Sequence, residues 1–494
     1  MAIGKASENP AYWSATQQSE ALRNRSISAV ELLDCSIRRI ETVDQRLNAV
    51  VVRDFERAHA AAAQADDLLK IHDPRPLLGV PVTVKESFNV VGLPTTWGFP
   101  QAKGFVPAQD AAAVQRLKAA GAIVIGKTNI PTGISDWQSF NSVYGTTNNP
   151  WDESRSPGGS SGGSAAALAA GYVALELGSD LRGSLRVPAH YCGVYAHKPT
   201  QGLIPLRGHV PPGAEALPTN PDMAVAGPLA RCTDDLTLAM NLLVGPDRPD
   251  DVGYRLDLPA ARHWRLQDFR ILVLTEHPLI ATSAEIIAAL NQTADELTAA
   301  GASVSRASHA LPDLAQTATT YTKLFMSLGA SFWPLEVYDR VKKIAANIPS
   351  DVNTSSAQRA RAAILSHRDW ITADRTRASL RQRWQDLFRE FDVVLCPTMP
   401  TTALLHDHFA EQEGRRILID GTEVRYEDQD PWLTIASMCG LPSTVAPIAR
   451  SSSGLPIGVQ IVGPHMGDRT TIGFAGLIER EFGGFSAPPN TMFP

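Results

Sequence analysis

The sequence predicts an α/β fold in which helices cover both faces of a β-sheet. Short apolar runs alternate with helical patterns along the chain, and this alternation favours a sheet that is buried on both faces. The unit Leu-x-Ala-Ala-Gly-Ala-x-Val occurs twice, from Leu117 and from Leu297, and indicates a helix that a glycine ends before a strand begins. With 494 residues, of which 44% are hydrophobic, the chain can bury a sizeable core.

The individual elements follow from the same patterns. Ser28 and Glu31 have the capping-box spacing that begins a helix, and the N-terminal part of the chain is interpreted as helical. The predicted strands are Val80–Val84, Ala122–Ile125, Val173–Leu177, Ile271–Leu274, Val393–Cys396, Ser443–Ala446 and Gly458–Val462. The predicted helices are Ala111–Ala120, Ser164–Ala170, Thr233–Leu243, Ser283–Ala300 and Met466–Phe482. Gly208–Asp222 and Pro349–Gln358 are predicted loops.

Charge and composition exclude several classes of protein. A net charge of −6 and a pI of about 6.1 give no global basic field that would attract nucleic acid. No apolar run approaches the ~18 residues of a membrane-spanning helix, and the first residues lack the apolar core of a signal peptide. The five cysteines are far apart, so neither a disulfide framework nor a zinc site is expected. We expect a cytoplasmic protein with a small-molecule substrate and no membrane or nucleic-acid partner.

A long helical pattern from Arg359 to Glu390 carries eight arginines against four acidic residues. A basic groove for RNA is one interpretation of this pattern. A solvated helix face is the favoured one, because charges on helices usually face water while an apolar stripe faces the core. That stripe consists of Ile364, Leu365, Leu380, Trp384 and Leu387.

Two common motifs occur in the sequence, but the residues around each of them do not fit the structure that the motif requires. Gly121–Thr128, GAIVIGKT, has the P-loop pattern, but a helix precedes its first glycine and its apolar middle belongs to a strand. Gly158–Gly162, GGSSG, has the nucleophile-elbow pattern, but polar residues and prolines precede it instead of a buried strand. Neither nucleotide binding nor a Ser-His-Asp enzyme is therefore expected. His406 and His408 lack a third ligand with recognisable spacing, so no metal site is predicted.

One combination of residues indicates catalysis. Ser160 lies in the glycine-rich run PGGSSGGSAAA, and Ser184 lies in GSDLRGSLRVP, where glycines let the backbone approach a substrate. Lys85 ends the apolar run GVPVTVK; inside the protein, burial would lower its pKa toward ~7–8, where it can act as a base. A strand-end lysine that reaches water fits the pattern about equally well. His190 and His197 also lie near Ser184, and proximity in sequence does not assign either as a base.

Longer runs around these residues resemble the signature of the amidase signature family. The principal run extends from Pro157 to Thr200, PGGSSGGSAAALAAGYVALELGSDLRGSLRVPAHYCGVYAHKPT. Further similar runs are GVPVTVKESFNVVGLPTTWG, GAIVIGKTN with YGTTNNPWD, AGPLARCTDDL and GLPIGVQIVGP. The similarity covers about residues 20 to 485, and the principal run is long and specific.

The resemblance implies a single domain over residues 1–494, built on a large twisted mixed β-sheet between layers of α-helices. N-terminal helices are expected at about 10–70, a signature core at about 75–245, and variable substrate-pocket helices at about 310–390.

The resemblance also implies a Ser-cisSer-Lys triad, with Lys85 as the base, Ser160 as the relay behind a cis peptide bond, and Ser184 as the nucleophile. The implied oxyanion hole consists of the backbone N–H groups of Leu181, Arg182, Gly183 and Ser184. Ser161 is expected to support the network beside Ser160. Neutral Lys85 would take a proton from Ser160, which takes one from Ser184, and the resulting alkoxide attacks the carbonyl. No metal or cofactor is expected.

The sequence departs from the family pattern at two positions. Arg182 stands where the family usually has the first glycine of Gly-Gly-Ser, and Glu86 stands where an aspartate usually follows the lysine. The Arg182 side chain adds bulk and a cation beside the nucleophile. It would select the shape of the acceptor, anchor a neighbouring loop or bind a carboxylate, and the sequence does not choose among these roles.

By the resemblance, the substrate pocket draws on residues 130–144, on the predicted loop at 208–222 and on the helices at 310–390. Trp137, Phe140 and Tyr144 lie in the first of these segments and indicate an apolar or aryl site. Aromatic residues of the core would give the same pattern.

The sequence therefore predicts a serine hydrolase that cleaves the C–N bond of small amides, with anilides and carbamates open to the same acylation chemistry. A second hypothesis in the same fold is the glutaminase (A) subunit of a tRNA-dependent amidotransferase, which needs an ammonia channel and a partner protein. A third is a non-catalytic binding protein on the same scaffold. The oligomeric state is not determined by the sequence, and a homodimer is the working expectation.

Overall fold

A mixed sheet of eleven strands forms the centre of the fold in the computed structural model, which describes residues 9–489. Two small sheets of two strands accompany it. The strands are β1 (Val50–Arg53), β2 (Pro81–Lys85), β3 (Ile123–Thr128), β4 (Phe140–Asn141), β5 (Gly145–Thr146), β6 (Leu175–Asp180), β7 (Tyr195–Lys198), β8 (Val225–Ala230), β9 (Arg270–Val273), β10 (Ser303–Ser305), β11 (Val393–Pro397), β12 (Arg416–Ile419), β13 (Thr422–Arg425), β14 (Ser443–Arg450) and β15 (Pro456–Val462).

Fourteen α-helices lie within residues 9–489. They are α1 (Ala15–Arg23), α2 (Ala29–Leu47), α3 (Phe55–Lys70), α4 (Ala112–Ala119), α5 (Gly162–Ala169), α6 (Arg186–Cys192), α7 (Thr233–Leu243), α8 (Ala284–Ala299), α9 (Leu314–Ala330), α10 (Leu335–Asn347), α11 (Ser355–Ala363), α12 (His367–Glu390), α13 (Pro431–Cys439) and α14 (Asp468–Phe482). No helix in this part of the chain is both long and apolar enough to cross a membrane.

The strand order of the large sheet is β1-β3-β2-β6-β8-β7-β14-β15-β11-β9-β10. Strand β2 pairs in parallel with β3 and β6, and β9 pairs in parallel with β10 and β11. The other neighbours in the sheet pair antiparallel. The predicted α/β fold class with a large mixed sheet is therefore confirmed.

The carboxyl ends of β2 and β6 lie together at one edge of the sheet. The two strands are parallel neighbours, with Thr83 opposite Glu176, and every residue of both strands is buried. Lys85 ends β2 and Asp180 ends β6, so the parallel pairing brings these two charged residues to the same edge. Loops that follow the two strands can therefore build a common site.

Helix α5 packs closely against this edge because its residues are small. All eight of its residues are buried, and its sequence is GGSAAALA. A Cβ at Gly163 would lie 2.4 Å from the backbone N of Asn129, so only glycine permits this approach. The glycine-rich run of the sequence is thus an ordered loop and helix start, not a flexible linker.

The arginine-rich pattern forms two helices instead of one. The chain leaves the helical conformation at Ile364, and the Ser366 side chain then caps the start of α12 by accepting the N–H of Asp369. The favoured interpretation of a core stripe holds for Leu380, Trp384 and Leu387, which are buried, whereas Ile364 and Leu365 are half-buried.

One predicted loop is partly helical. Helix α11 begins at Ser355, inside the predicted loop Pro349–Gln358. Thr354 supplies the physical reason, because its side chain accepts the N–H of Ala357 and so caps the helix. The polar residues that predicted a loop therefore include the residues that cap and begin a helix.

The repeated helix–glycine–strand connection is confirmed at both positions. Helix α4 precedes Gly121 and β3 follows it, while α8 precedes Gly301 and β10 follows it. The two glycines have φ of +93° and +92°, a backbone conformation that favours glycine. Because β3 contains the apolar middle of GAIVIGKT, the P-loop pattern forms a strand, as the sequence predicts.

We predict that Gly121→Ala destabilises the protein more than Gly454→Ala. Both glycines have positive φ, at +93° and +81°, so each alanine has a conformational cost of ~1–2 kcal/mol. A Cβ at Gly121 would also lie 2.6 Å from the Leu78 Cα, whereas nothing lies within 4 Å of one at Gly454. Overpacking should add ~1–3 kcal/mol for Gly121→Ala alone. Equal midpoints of urea unfolding for the two variants would contradict this reasoning.

Candidate active site

Lys85 is the last residue of β2, and its side chain is fully buried. Its Nζ lies 2.7 Å from the Ser160 Oγ and 2.9 Å from the Ser179 Oγ. Burial lowers the pKa of Lys85 to about 7, against the opposing effect of the Asp180 carboxylate. The amine can therefore be neutral near neutral pH, which a base that accepts a proton from Ser160 requires.

The loop that carries Ser160 is held by close backbone contacts. The peptide bond between Gly159 and Ser160 is cis, as the family resemblance implies. A Cβ at Gly159 would lie 2.4 Å from the Asp136 carbonyl oxygen, so glycine is required there. The Ser161 hydroxyl donates to the Ser179 carbonyl at 3.3 Å and ties this loop to the end of β6.

Ser184 is the most exposed of the three predicted catalytic residues. It is 8% exposed, against 0% for Lys85 and 1% for Ser160. Its carbonyl accepts the N–H of Ser161 at 3.1 Å, so its loop lies directly beside the Ser160 loop. Its hydroxyl has no hydrogen-bond partner within residues 9–489. The structure therefore brings Lys85 and Ser160 into contact, whereas the hydrogen bond from Ser184 to Ser160 stays a prediction. Catalytic hydrogen bonds are often long without substrate and shorten when it binds.

A buried ion pair holds the Ser184 loop. The side chains of Asp180 and Arg186 are both 0% exposed and meet at 3.0 Å. Asp180 also accepts the N–H groups of Gly183 at 2.9 Å and of Leu185 at 3.1 Å. Burial alone would raise the pKa of Asp180, but Arg186, Lys198 and the N–H of Leu185 together outweigh burial, so the pKa is lowered. The ionised carboxylate therefore fixes residues on both sides of Ser184.

The N–H groups implied for the oxyanion hole are not equivalent. Gly183 has φ of +85°, and its N–H donates to the carboxylate at the end of β6. That N–H is therefore already engaged. The N–H groups of Leu181, Arg182 and Ser184 stay candidates for the oxyanion hole.

The Arg182 side chain is tied to the segment that precedes α13. Its Nε lies 2.7 Å from the Asp430 Oδ2, and its Nη2 donates to the Glu427 carbonyl at 2.6 Å. Its guanidinium lies 4.2 Å from the ring centre of Trp137 and 5.6 Å from that of Phe325. Of the three roles that the sequence left open, anchoring a neighbouring loop is the one that these contacts match.

Trp137 lies beside the loop that carries the predicted nucleophile, Ser184 (the nucleophile loop). Its Nε1 donates to the Arg182 carbonyl at 2.8 Å, and its own backbone N–H donates to the Tyr426 hydroxyl at 3.1 Å. The residue is only 3% exposed. It therefore forms part of the wall next to Ser184 and also belongs to the buried core.

The two other aromatic residues predicted for the pocket have different neighbours. Phe140 stacks on His408 with ring centres 4.1 Å apart. The Tyr144 hydroxyl donates to Glu86 at 3.1 Å, and Glu86 also accepts the backbone N–H of Trp97 at 3.0 Å. Tyr144 thus contacts the residue that follows Lys85, whereas these contacts do not bring Phe140 to the site.

A cavity of about 480 Å³ lies between the loop at 208–222 and helix α12. Its lining is Gln201, Gly202, Asn220, Asp222, Arg377, Arg381, Gln385, Cys439, Gly440, Leu441 and His465. Two of the segments predicted to build the substrate pocket contribute to it. Lys85, Ser160 and Ser184 do not line it, so the position of the substrate pocket stays a prediction.

The two histidines near Ser184 in sequence have other partners. Burial lowers the pKa of His190 to about 4, and its Nδ1 accepts a backbone N–H at 2.8 Å. The ring of His197 lies between Thr444 and Asp468, at 2.9 Å and 3.0 Å. Both rings are therefore committed elsewhere, which leaves Lys85 as the base candidate in contact with Ser160.

Sequence reasoning missed four residues that shape this site. The run GSDLRGSLR contains Ser179, Asp180 and Arg186 as well as Ser184. An acidic and a basic residue on either side of a short loop were a sequence signal for an ion pair there. Asp430 carried no such signal, because it is separated from its partner Arg182 by 248 positions.

Residues 31–472 match the sequence model of the Amidase family. This match covers most of the chain, so the protein belongs to the amidase signature family, whose enzymes hydrolyse the C–N bonds of amides.

Individual relatives cover nearly the whole chain. The protein is 30% identical to the (A) subunit of a glutamyl-tRNA(Gln) amidotransferase from Exiguobacterium sp. over 94% of this chain and 97% of that one. It is 32% identical to an indoleacetamide hydrolase of Bradyrhizobium diazoefficiens over 95% and 87% of the two chains. A solved structure described as a vestigial complex that reveals the origins of an s-triazine catabolic enzyme is 29% identical, with a TM-score of 0.79, over 96% of this chain and 100% of that one.

We predict that Asp180→Asn destabilises the protein by ~3–5 kcal/mol, because it leaves the buried guanidinium of Arg186 without its counter-ion. Asp268→Asn is the matched control, since Asp268 pairs with Arg265 at 2.9 Å on the surface. An exposed pair contributes little, so the control should leave the urea midpoint nearly unchanged. Equal midpoints for both variants would show that the buried pair does not hold the loop.

Proposed function

We propose that this protein is a serine hydrolase that cleaves the C–N bond of small, uncharged amides through an acyl-enzyme, and that anilides and carbamates are open to it as well. Ser184 is the nucleophile, Ser160 the relay and Lys85 the base. The observation that carries the proposal is the buried Lys85 Nζ, 2.7 Å from the Ser160 Oγ, behind the loop that presents Ser184.

The proposed chemistry is a proton relay along these three residues. Neutral Lys85 accepts the proton of Ser160, and Ser160 accepts that of Ser184 as its oxygen attacks the carbonyl carbon. The proton returns along the same relay to the leaving nitrogen, which departs as an amine. Water then attacks the acyl-enzyme by the same route and releases the acid. In this proposal the three side chains supply the nucleophile and both proton transfers, so no cofactor is required.

Backbone donors stabilise the negative charge that develops on the carbonyl oxygen. We assign this role to the N–H groups of Leu181, Arg182 and Ser184, since that of Gly183 donates to Asp180. Such preorganised donors usually contribute the largest single part of the rate enhancement. Ser161 supports them by binding the Ser184 carbonyl through its own N–H.

An uncharged substrate is favoured because charged groups around the site are paired within the protein. Arg182 pairs with Asp430 at 2.7 Å, and Arg415 pairs with Asp136 at 2.6 Å. The wall beside the nucleophile loop includes the Trp137 indole. The indoleacetamide hydrolase among the relatives acts, by its name, on an uncharged amide that carries an indole ring. Trp137 is therefore our leading pocket residue, ahead of Tyr144 and Phe140.

The glutaminase (A) subunit of a tRNA-dependent amidotransferase is the second candidate, because a glutamyl-tRNA(Gln) amidotransferase subunit is among the similar proteins. Glutamine carries both an ammonium and a carboxylate at neutral pH, and each needs an unpaired opposite charge in the site. Asp430, the carboxylate beside the loop that carries Ser184, is already bound to Arg182 at 2.7 Å. This pairing favours the amide hydrolase over the glutaminase.

Domain organisation, oligomeric state and location are also part of the proposal. We propose a single catalytic domain whose helices at about 310–390 shape substrate choice, acting as a homodimer in the cytoplasm. Size-exclusion chromatography with light scattering measures the oligomeric state directly.

We predict that Ser184→Ala abolishes amide hydrolysis and labelling by a fluorophosphonate probe while leaving the fold intact. The purified protein is tested on primary amides, anilides, carbamates and glutamine, with circular dichroism as the fold readout. Ser164→Ala is the matched control, because Ser164 is also buried but pairs with Thr128 at 2.8 Å. Full turnover by Ser184→Ala would refute the assignment. Glutamine as the sole substrate would favour the glutaminase, and an unlabelled, inactive wild type would favour a non-catalytic protein.

We predict that kcat/KM rises with pH through about 7 and then levels, because Lys85 is active only when neutral and its pKa is lowered to about 7. Lys85→Met should lose ~10²–10⁴-fold in kcat at neutral pH. Lys127→Met is the matched control, since Lys127 is equally buried on the next strand but binds the Thr95 hydroxyl at 2.8 Å. A pH profile of wild-type shape in Lys85→Met would mean that another base operates.

A further inference from the structure

The guanidinium of Arg182 lies where a bound cation would lie. It pairs with the Asp430 carboxylate at 2.7 Å, and its centre is 4.2 Å from the Trp137 ring and 5.6 Å from the Phe325 ring. A carboxylate beside aromatic faces is an arrangement that holds cationic ligands. The side chains of Arg182 and Asp430 are only 17% and 13% exposed, so little water competes for the pair.

The backbone at Asp430 is positioned by contacts other than those of Arg182. Asp430 lies directly before α13, and its carbonyl accepts the N–H of Leu433 at 2.8 Å. The Leu433 carbonyl accepts a hydrogen bond from Arg186 at 2.9 Å, and a Cβ at Gly183 would lie 2.5 Å from the Leu433 side chain. The start of α13 is therefore packed on the nucleophile loop independently of Arg182.

Removal of the arginine would consequently leave a carboxylate beside the nucleophile loop without its counter-ion. A poorly solvated, unpaired carboxylate attracts a cation more strongly than one in water does. An ammonium on the acyl part of a substrate is a cation of suitable size. In the wild-type protein that position is already filled by a side chain of the same loop.

We propose that Arg182 is a specificity-determining residue: its tethered cation fills a cation site beside Ser184, so that the enzyme accepts uncharged acyl groups and rejects those that carry an ammonium. This inference rests on the proposed amide hydrolase function and names the class of acyl group that the site takes.

The test uses two substrates that differ only in charge. They are the 4-nitroanilides of pentanoic acid and of 4-aminobutanoic acid, which are nearly isosteric because a terminal methyl group replaces an ammonium. The release of 4-nitroaniline gives kcat and KM for each. The wild type should prefer the pentanoyl substrate by at least tenfold in kcat/KM.

Arg182→Ala should shift the ratio of kcat/KM at least tenfold toward the 4-aminobutanoyl substrate, mainly through a lower KM for that substrate. Arg182→Lys keeps a cation that can pair with Asp430 and should keep the wild-type ratio. The double variant Arg182→Ala/Asp430→Asn should lose the gain, because the attracting carboxylate is gone. If Arg182→Ala does not fold, Arg182→Gln keeps a polar side chain without the charge and should shift the ratio in the same direction.

Arg359→Ala is the matched control for loosening of the anchored segment. The Arg359 Nη2 donates to the same Glu427 carbonyl at 2.6 Å, and its Nη1 pairs with the Glu427 side chain at 3.0 Å. This variant should leave the ratio unchanged. A shift as large as that of Arg182→Ala would overturn the inference, because loop displacement would then account for both results.

Two failures can be distinguished. If the wild type cleaves the pentanoyl substrate but a folded Arg182→Ala keeps the ratio within twofold, the inference is overturned and the proposed function stands. If the wild type cleaves neither anilide and Ser184 does not react with a fluorophosphonate, the proposed function fails and the inference fails with it.

Discussion

The contact between the buried Lys85 amine and the Ser160 hydroxyl is the constraint on which the rest of the site depends. An amine can act as a base near neutral pH only when it is kept from water, and burial lowers the pKa of Lys85 to about 7. The sheet supplies that burial, since β2 lies between β3 and β6 and all its residues are buried. The glycine-rich loop then brings Ser160 to the amine, which larger residues at Gly159 and Gly163 would prevent.

Two ion pairs flank Ser184, the proposed nucleophile, and make different contacts. Asp180 and Arg186 are fully buried, and the carboxylate also accepts two backbone N–H groups, so this pair sets the path of the chain around Ser184. Arg182 pairs with Asp430 in a less buried position and joins the same loop to the start of α13. In our proposal the first pair supports the catalytic geometry, and the second determines which charges a substrate meets.

Local signals in the sequence predicted most of the framework and the three catalytic candidates. Apolar runs and helix periodicity placed strands such as β11 and helices such as α7, because burial patterns of single elements are encoded locally. Lys85 was ambiguous, since a strand-end lysine can be buried or can reach water, and only the neighbouring strands decide between these. Ser179 was missed as a lysine partner, and Asp430 could not be found because its role depends on a contact across 248 positions.

By itself the sequence determined the class of fold, the family and the chemical types of residue at the site, because glycine-rich loops, apolar strands and the long signature run are properties of adjacent residues. Only the tertiary structure decided that Lys85 is excluded from water, that the N–H of Gly183 donates to Asp180 and that Arg182 forms an ion pair with Asp430. The physical reason is that solvent exclusion and charge pairing depend on which distant segments pack together, and no local pattern records that packing.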